Sequence, residues 1–137
     1  MKRIFIIFLI SILTCNLFAQ IRTSIDSTQI IYAQSLHDKG YQELSIGNYK
    51  TAIKYIKEAV YLRKQIFGDN NIEHIKSLHN LSLCYAGLDD FNKAVDIAQE
   101  ILLKTKGRSE LIKMNAIATR TLGSYYMPLG NYKEAME

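Results

Sequence analysis

The hexapeptide Gly-Asn-Tyr-Lys-Thr-Ala at residues 47–52 recurs twice further along this chain of 137 residues. It returns as Asp-Asp-Phe-Asn-Lys-Ala at residues 89–94 and as Gly-Asn-Tyr-Lys-Glu-Ala at residues 130–135. The closing alanines of the three copies are separated by 94 − 52 = 42 and 135 − 94 = 41 residues. Self-similarity at a nearly fixed period of this length is typical of repeat architectures. The chain is therefore predicted to consist of stacked copies of one unit.

Composition and apolar spacing predict that each unit is a pair of helices. The chain is 48% hydrophobic and 22% charged and has a single proline, a balance typical of a packed helical body. Apolar residues recur at helical spacing before residue 47 and again after it, where lysines occupy the opposite face. Neither helix can bury its apolar stripe alone, so neighbouring pairs must stack. The predicted fold is all-α, an α-solenoid of about three stacked antiparallel helix pairs.

Caps, glycines and one proline predict the helix boundaries. Asp26 or Ser27 is expected to cap the first helix, and Gly68 is expected to end the second. Pro128 is expected in the last turn of the fifth helix, because proline in a helix interior costs about 3 kcal/mol. The predicted repeat domain covers residues 28–137, with repeats at about 33–68, 75–107 and 116–137, the last one truncated.

The N-terminal segment differs from the rest of the chain. Lys2 and Arg3 precede an apolar run, and Ala19 offers a small residue at its end. This pattern predicts a secretory signal peptide at residues 1–19, cleaved after Ala19. A linker at residues 20–27 and an exported repeat domain, periplasmic or extracellular, would follow. The run is too short for a transmembrane helix, which needs about 20 apolar residues.

Lipid anchoring is the alternative processing route, because Cys15 closes the apolar run. The residues before Cys15 only loosely resemble the sequence that precedes a lipidated cysteine, so soluble export is preferred. Cleavage would leave Cys84 as the single cysteine, interpreted as a small buried core residue. The mature chain would carry 17 − 2 = 15 basic and 13 acidic side chains, without a basic block. This balance argues against nucleic acid as a partner.

The repeated units resemble tetratricopeptide repeats. The stretch at residues 52–94 resembles the long-period variety found in kinesin light chains, in which an extended second helix ends at a glycine. A Leu-x-x-Leu-x-x-x-Tyr helix follows in that variety. These elements read Ala-Val-Tyr-Leu at residues 59–62, Gly-Asp at residues 68–69 and the leucine motif at residues 78–85. The resemblance covers nearly everything after about residue 33 and implies a scaffold that binds proteins.

The resemblance also assigns packing roles. Small side chains are expected where the two helices of a unit cross, and Tyr85 and Tyr126 are expected in the core. The positions expected to be small are Gly40, Ala52, Ala59, Ser82, Ala94, Gly123 and Ala135. Two residues depart from the family pattern, since Ile101 replaces a preferred alanine and Asp89 replaces the turn glycine.

In such stacks the first helix of each unit lines a concave groove. The groove-facing candidates are His37, Asp38, Tyr41, Lys76, His79, Asn80, Leu83, Arg120, Thr121 and Ser124. His37, His79 and Arg120 occupy the same position in successive units. Because arginine and protonated histidine favour anionic acceptors, they suggest a ladder of donors for an acidic or carboxylate-bearing peptide. The alternative interpretation is that these are ordinary solvated residues.

Patterns for catalysis or cofactor binding are absent from the sequence. It contains no phosphate-binding glycine loop, no nucleophile elbow and no metalloprotease histidine pair. Histidines one repeat apart lie on helices about 8–10 Å apart, and no cysteine or carboxylate cluster completes a ligand set. His74, near a helix start, is interpreted as a surface residue. We therefore expect no catalytic residues, no cofactor, no metal and no small-molecule substrate.

The expected function is non-catalytic binding of a protein or peptide partner whose identity the sequence does not give. An alternative is that these repeats form the N-terminal sensory or regulatory region of a longer signalling kinase or protease-like protein. Its catalytic part would then lie beyond residue 137. Self-association through the open C-terminal edge is a weaker alternative.

Overall fold

The computed structural model describes residues 2–136, with side chains described at residues 13, 14, 17, 27–131 and 133–136. Every regular element in this range is helical. The helices are α1 (Lys2–Ser45), α2 (Tyr49–Phe67), α3 (Ile72–Ala86), α4 (Phe91–Thr105), α5 (Ile112–Tyr126) and α6 (Tyr132–Met136), with a 3₁₀ turn at Ser109–Leu111. Consecutive helices pack against each other along the chain. The predicted all-α solenoid of stacked helix pairs is confirmed.

The turns between paired helices follow from residues that tolerate a left-handed backbone. Gly47 and Gly130 have φ angles of 81° and 75°, and Asp89, at the corresponding place in the second repeat, has 59°. Aspartate is one of the few residues other than glycine that visit this conformation, because its short side chain bonds locally. Asp89 thus preserves the turn despite departing from the family pattern.

Three predicted boundaries differ from those observed. α1 is helical through residues 20–27, so Asp26 and Ser27 are not its N-caps, although processing of this segment stays a prediction. The fifth helix, predicted to begin at about residue 110, instead begins at residue 112, directly after the 3₁₀ turn. Pro128 lies after the end of α5 rather than in its last turn, because that helix ends two residues earlier.

Small residues lie where the paired helices approach each other closely. Gly40 of α1 is buried, and a Cβ atom added there would lie 2.4 Å from Cγ1 of Ile56 on α2. A Cβ atom on Gly123 of α5 would lie 3.2 Å from the carbonyl oxygen of Ala135 on α6. Buried side chains of adjacent pairs form one continuous series of clusters along the stack. They include Ala52, Ile56, Leu81 and Cys84, then Ile75, Leu78, Ile101 and Ala118, then Ala94, Ala98 and Tyr125.

Two residues differ in burial from what the sequence indicated. Tyr126 packs against the core but is only partly buried, whereas Tyr125 is 4% exposed and its hydroxyl lies 3.2 Å from Oγ of buried Ser82. His74 is only 2% exposed, so its interpretation as a surface residue was wrong. It is enclosed because the start of α3 lies between the end of α2 and α4.

Within the described residues, no helix is both long and apolar enough to span a membrane.

Candidate functional site

A depression of about 280 Å³ lies on the face of the stack formed by α1 and α3. Its walls contain His37, Asp38, Tyr41, Lys76, His79, Asn80 and Met114. Residues three and four positions apart in a helix share one face, so α1 and α3 each present their polar residues to the same space. Six of the ten residues predicted for the groove therefore line one depression, and Met114 of α5 is an apolar addition.

His37 is held by polar contacts to the neighbouring repeat. Its Nδ1 atom lies 3.1 Å from Oγ of Ser77, and its Nε2 atom lies 3.5 Å from Nδ2 of Asn80. Burial and, secondarily, the charge of Arg63 lower the pKa of His37. The ring is therefore mostly neutral at pH 7, and its orientation is set by α3.

His79 occupies the equivalent place one repeat further along. Burial lowers its pKa, and the positive charge of Arg120 lowers it further. Its Nδ1 atom is enclosed and has no hydrogen-bond partner among the described residues. Both histidines are thus mostly uncharged near neutral pH, and only Arg120 contributes a cation to the predicted ladder.

The remaining groove candidates lie apart from this depression. Arg120 and Ser124 line a separate cavity of about 720 Å³ between α5 and α6. Thr121 donates its hydroxyl to the carbonyl of Ile117 at 2.7 Å, and Ser124 donates to the carbonyl of Thr121 at 2.6 Å. Such bonds within a helix use up the single donor of each hydroxyl. Leu83 is half-buried on α3.

The exposed rim of the depression carries both signs of charge. Lys76 pairs with Glu73 at 2.7 Å, and Asp38 accepts a hydrogen bond from Gln34 at 2.8 Å. The ring of Tyr41 is 56% exposed beside them. This set can offer an ammonium, a carboxylate and an aromatic surface to a ligand.

A buried arginine that the sequence analysis missed supports the floor of the depression. Arg63 of α2 is 1% exposed and donates to Oε1 of Gln34 at 2.6 Å and to Oγ of Ser77 at 2.9 Å. It also donates to the carbonyl of Glu73 at 3.0 Å. Ser77 is the residue that His37 contacts, so the arginine anchors the site through one intermediate side chain.

The spacing of α2 contains a signal for this arginine. Ala52, Ile56, Ala59 and Arg63 follow one another at intervals of four, three and four residues and are all buried. The buried face of α2 therefore includes a charged residue. Phe67, one turn further along α2, is 36% exposed.

Comparison with known proteins places this architecture in a family. The family model for the tetratricopeptide repeat matches residues 32–102, which is 71 of 137 residues and more than half of the chain. The chain belongs to the tetratricopeptide repeat family. Members of this family generally serve as non-catalytic scaffolds for protein interaction.

Two solved structures show the same fold. The tetratricopeptide repeat domain of Arabidopsis FLU has a TM-score of 0.71 and 20% identity, over 78% of this chain and 87% of that one. The nearly identical repeats of a kinesin light chain-like protein from Podosopora anserina have a TM-score of 0.65 and 17% identity. That match covers 74% of this chain and 49% of the other. The predicted resemblance to kinesin-light-chain-type repeats is confirmed.

No curated protein compared with the chain gives a significant match. At the identities of the two solved structures the likeness concerns the fold alone, so the partner has to be argued from the site.

Proposed function

We propose that the depression between α1 and α3 binds an extended peptide segment of a protein partner. The observation that carries the proposal is the convergence of six groove-facing residues from two successive repeats around one space. His37 and Asn80 are already held by neighbouring side chains, so little side-chain entropy would be lost on binding. Binding of this kind involves no covalent chemistry.

The chemistry of the walls favours a peptide with mixed polar character. The exposed ring of Tyr41 offers the kind of aromatic anchor that is enriched in binding hot spots. A proton on the enclosed Nδ1 atom of His79 would be unsatisfied, so the neutral ring is expected to carry its proton on Nε2 and to donate to a peptide carbonyl. Arg120 lies near enough to shift the pKa of His79, so an acidic side chain of the ligand is expected at that end.

Selection of peptides from a random library tests this proposal, because it does not require the partner to be identified first. The library is panned on the immobilised chain, and the dissociation constants of the selected peptides are measured by fluorescence anisotropy. Tyr41→Ala and His79→Ala are each expected to weaken binding by about 1–2 kcal/mol, which is roughly 5- to 30-fold. Lys57→Ala, on the exposed side of α2, is the matched control and should change nothing. Peptides that bind all three variants as tightly as the unaltered protein would contradict the proposal.

We further propose that the repeat domain is exported and acts in the periplasm or outside the cell. The support is the basic start and apolar run of residues 1–19. Expressing the full chain in a secretion-competent bacterium and measuring the intact mass of the product tests this proposal. A product beginning at Gln20 is expected. A product beginning at a lipidated Cys15 would instead indicate anchoring, and an uncleaved intracellular chain would contradict export.

A further inference from the structure

A second polar cluster lies away from the depression, where the loop between α2 and α3 meets α4. One ligand atom each from Asp69, His74 and Glu100 lies within 4.8 Å of the other two. Asp69 belongs to the loop, His74 to the first turn of α3 and Glu100 to α4. The cluster therefore joins the first repeat to the second.

The burial and the hydrogen bonding of His74 distinguish this cluster from an ordinary surface cluster of acidic residues. The ring is 2% exposed, and its Nδ1 atom lies 3.1 Å from the carbonyl oxygen of Val60. A carbonyl can only accept, so Nδ1 carries the hydrogen and donates it. With the hydrogen on Nδ1, Nε2 is the nitrogen of the neutral imidazole that can act as a metal ligand.

The Nε2 atom of His74 faces a carboxylate oxygen of Asp69. Nε2 of His74 lies 3.3 Å from Oδ1 of Asp69, and within the described part of the chain it has no hydrogen-bond partner. A nearly fully buried imidazole that donates Nδ1–H to a backbone carbonyl and keeps Nε2 free has the arrangement typical of metal-ligating histidines.

We propose that Asp69, His74 and Glu100 bind a divalent transition-metal ion of the zinc type. One imidazole nitrogen and two carboxylate oxygens form a ligand set that suits zinc, with a fourth position left for water. The ion would tie the loop after α2 to α4 and so fasten the first repeat to the second. This site is independent of the peptide-binding depression.

Two lysines neutralise the carboxylates and would compete with the ion. Nζ of Lys104 contacts Oδ2 of Asp69 and lies 3.3 Å from Oε1 of Glu100. Nζ of Lys64 lies 3.1 Å from Oδ1 of Asp69. A lysine side chain is long and flexible, so the Lys104 ammonium can move into solvent when a dication takes its place. Competition of this kind predicts that removing Lys104 tightens metal binding.

Calorimetric titration of the whole, chelator-treated chain with zinc chloride tests the proposal. One saturable site is expected. Glu100→Gln and Asp69→Asn should each weaken it by at least about 10-fold, the scale on which ligand-supporting groups act. Asp96→Asn is the matched control, because Asp96 is exposed on α4 one turn before Glu100. Lys104→Gln should bind zinc more tightly than the unaltered protein.

Every result of these titrations either supports the metal-binding proposal or overturns it. Circular dichroism checks that the variants keep their helix content, and Glu100 is suitable because its side chain is 46% exposed. An absence of saturable zinc binding by the unaltered chain overturns the proposal. So does binding that is unaffected by Glu100→Gln and Asp69→Asn, since the ion would then lie elsewhere. Weaker binding in Lys104→Gln would also overturn it, because that lysine would then support the site.

Discussion

The first and second repeats fill the same two buried positions with different side chains. Ala59 and Arg63 on α2 correspond to Ile101 and Thr105 on α4, since 101 − 59 and 105 − 63 both equal the 42-residue repeat. All four residues are at most 1% exposed. In α2 a small residue precedes a long one by one turn, and in α4 a long residue precedes a small one.

The buried polar contacts differ in the same way. Arg63 reaches across to Gln34 and Ser77, on the helices before and after its own. The hydroxyl of Thr105 donates to the carbonyl of Ile101 at 2.9 Å and accepts from Nδ2 of Asn115 at 2.8 Å. In both repeats one of the two buried positions carries a large side chain and the other a small one, which predicts that their summed volume matters more than either side chain. This explains why Ile101 can replace the preferred alanine.

The largest effect is expected for Arg63→Ala. The change leaves three acceptors at the first repeat junction without their donor and opens a cavity in the core. Removing one member of a buried charged network costs about 3–5 kcal/mol. Urea denaturation followed by circular dichroism measures the loss. Lys57→Ala is the exposed control on the same helix and should remain within about 0.5 kcal/mol of the unaltered protein.

Thr105→Ala sharpens this comparison at the equivalent position. It removes a small hydroxyl with two neutral partners, for which a loss of about 1 kcal/mol is expected. Equal losses for Arg63→Ala and Thr105→Ala would show that the two junctions do not differ as described.

Among these variants, Ile101→Ala should have the largest loss of stability after Arg63→Ala. Ile101 is completely buried against Ile75, Leu78 and Leu111, so truncation leaves a cavity at the second junction and costs about 2–4 kcal/mol. The same denaturation experiment measures it. The variants Ala59→Ile and Arg63→Thr and their double variant test whether summed volume matters. The double variant should lose less free energy of unfolding than the sum of the two single losses, by about 1 kcal/mol or more. Additive losses would contradict the volume rule.

Gly40→Ala and Gly123→Ala compare the helix crossings of the first and third repeats. The added methyl group at residue 40 meets the buried Ile56 side chain at 2.4 Å, so an overpacking loss of about 1–3 kcal/mol is expected. At residue 123 the contact is 3.2 Å to a carbonyl of the short helix α6, which can shift. Alanine also favours the helix there by up to about 1 kcal/mol, so the net change should be close to zero. Similar losses at both glycines in thermal unfolding would refute this difference.

The smallest effect concerns acid stability at the first junction. Hydrogen bonds from Lys104 and then Lys64 lower the pKa of Asp69 from 3.8 to about 2. A carboxyl group with a lowered folded-state pKa stabilises the protein above pH 3.8, and this contribution is lost as the pH falls toward 2. Because Asp69 is 42% exposed, solvent screening limits the contribution to about 1 kcal/mol or less.

The stability difference between the unaltered protein and Asp69→Asn measures this contribution. With EDTA present, the difference should be constant from pH 7 to about 5 and should shrink as the pH is lowered toward 2. A difference that persists undiminished at pH 2 would mean that the carboxylate is not the cause.

Local sequence signals determined most of the architecture. The 42- and 41-residue spacings determined the repeats, and the small residues at positions 40 and 123 marked where helices cross. Asp89 was correctly placed in the glycine position of its turn. These features depend on backbone conformation and on the helical period, which neighbouring residues in the chain specify by themselves.

Tertiary packing decided which polar side chains are buried and which groove residues meet. Lysine and arginine usually keep their charge in water, and Arg63 is buried on its apolar stripe only because α1 and α3 pack against it and accept its hydrogen bonds. His74 looked exposed for the same reason, because its burial depends on α2 and α4 rather than on its own helix. Likewise, Arg120 lines the cavity between α5 and α6 rather than the depression, although its charge reaches His79. Periodicity assigns a residue to a helix face, but only the stacked neighbours determine what covers that face.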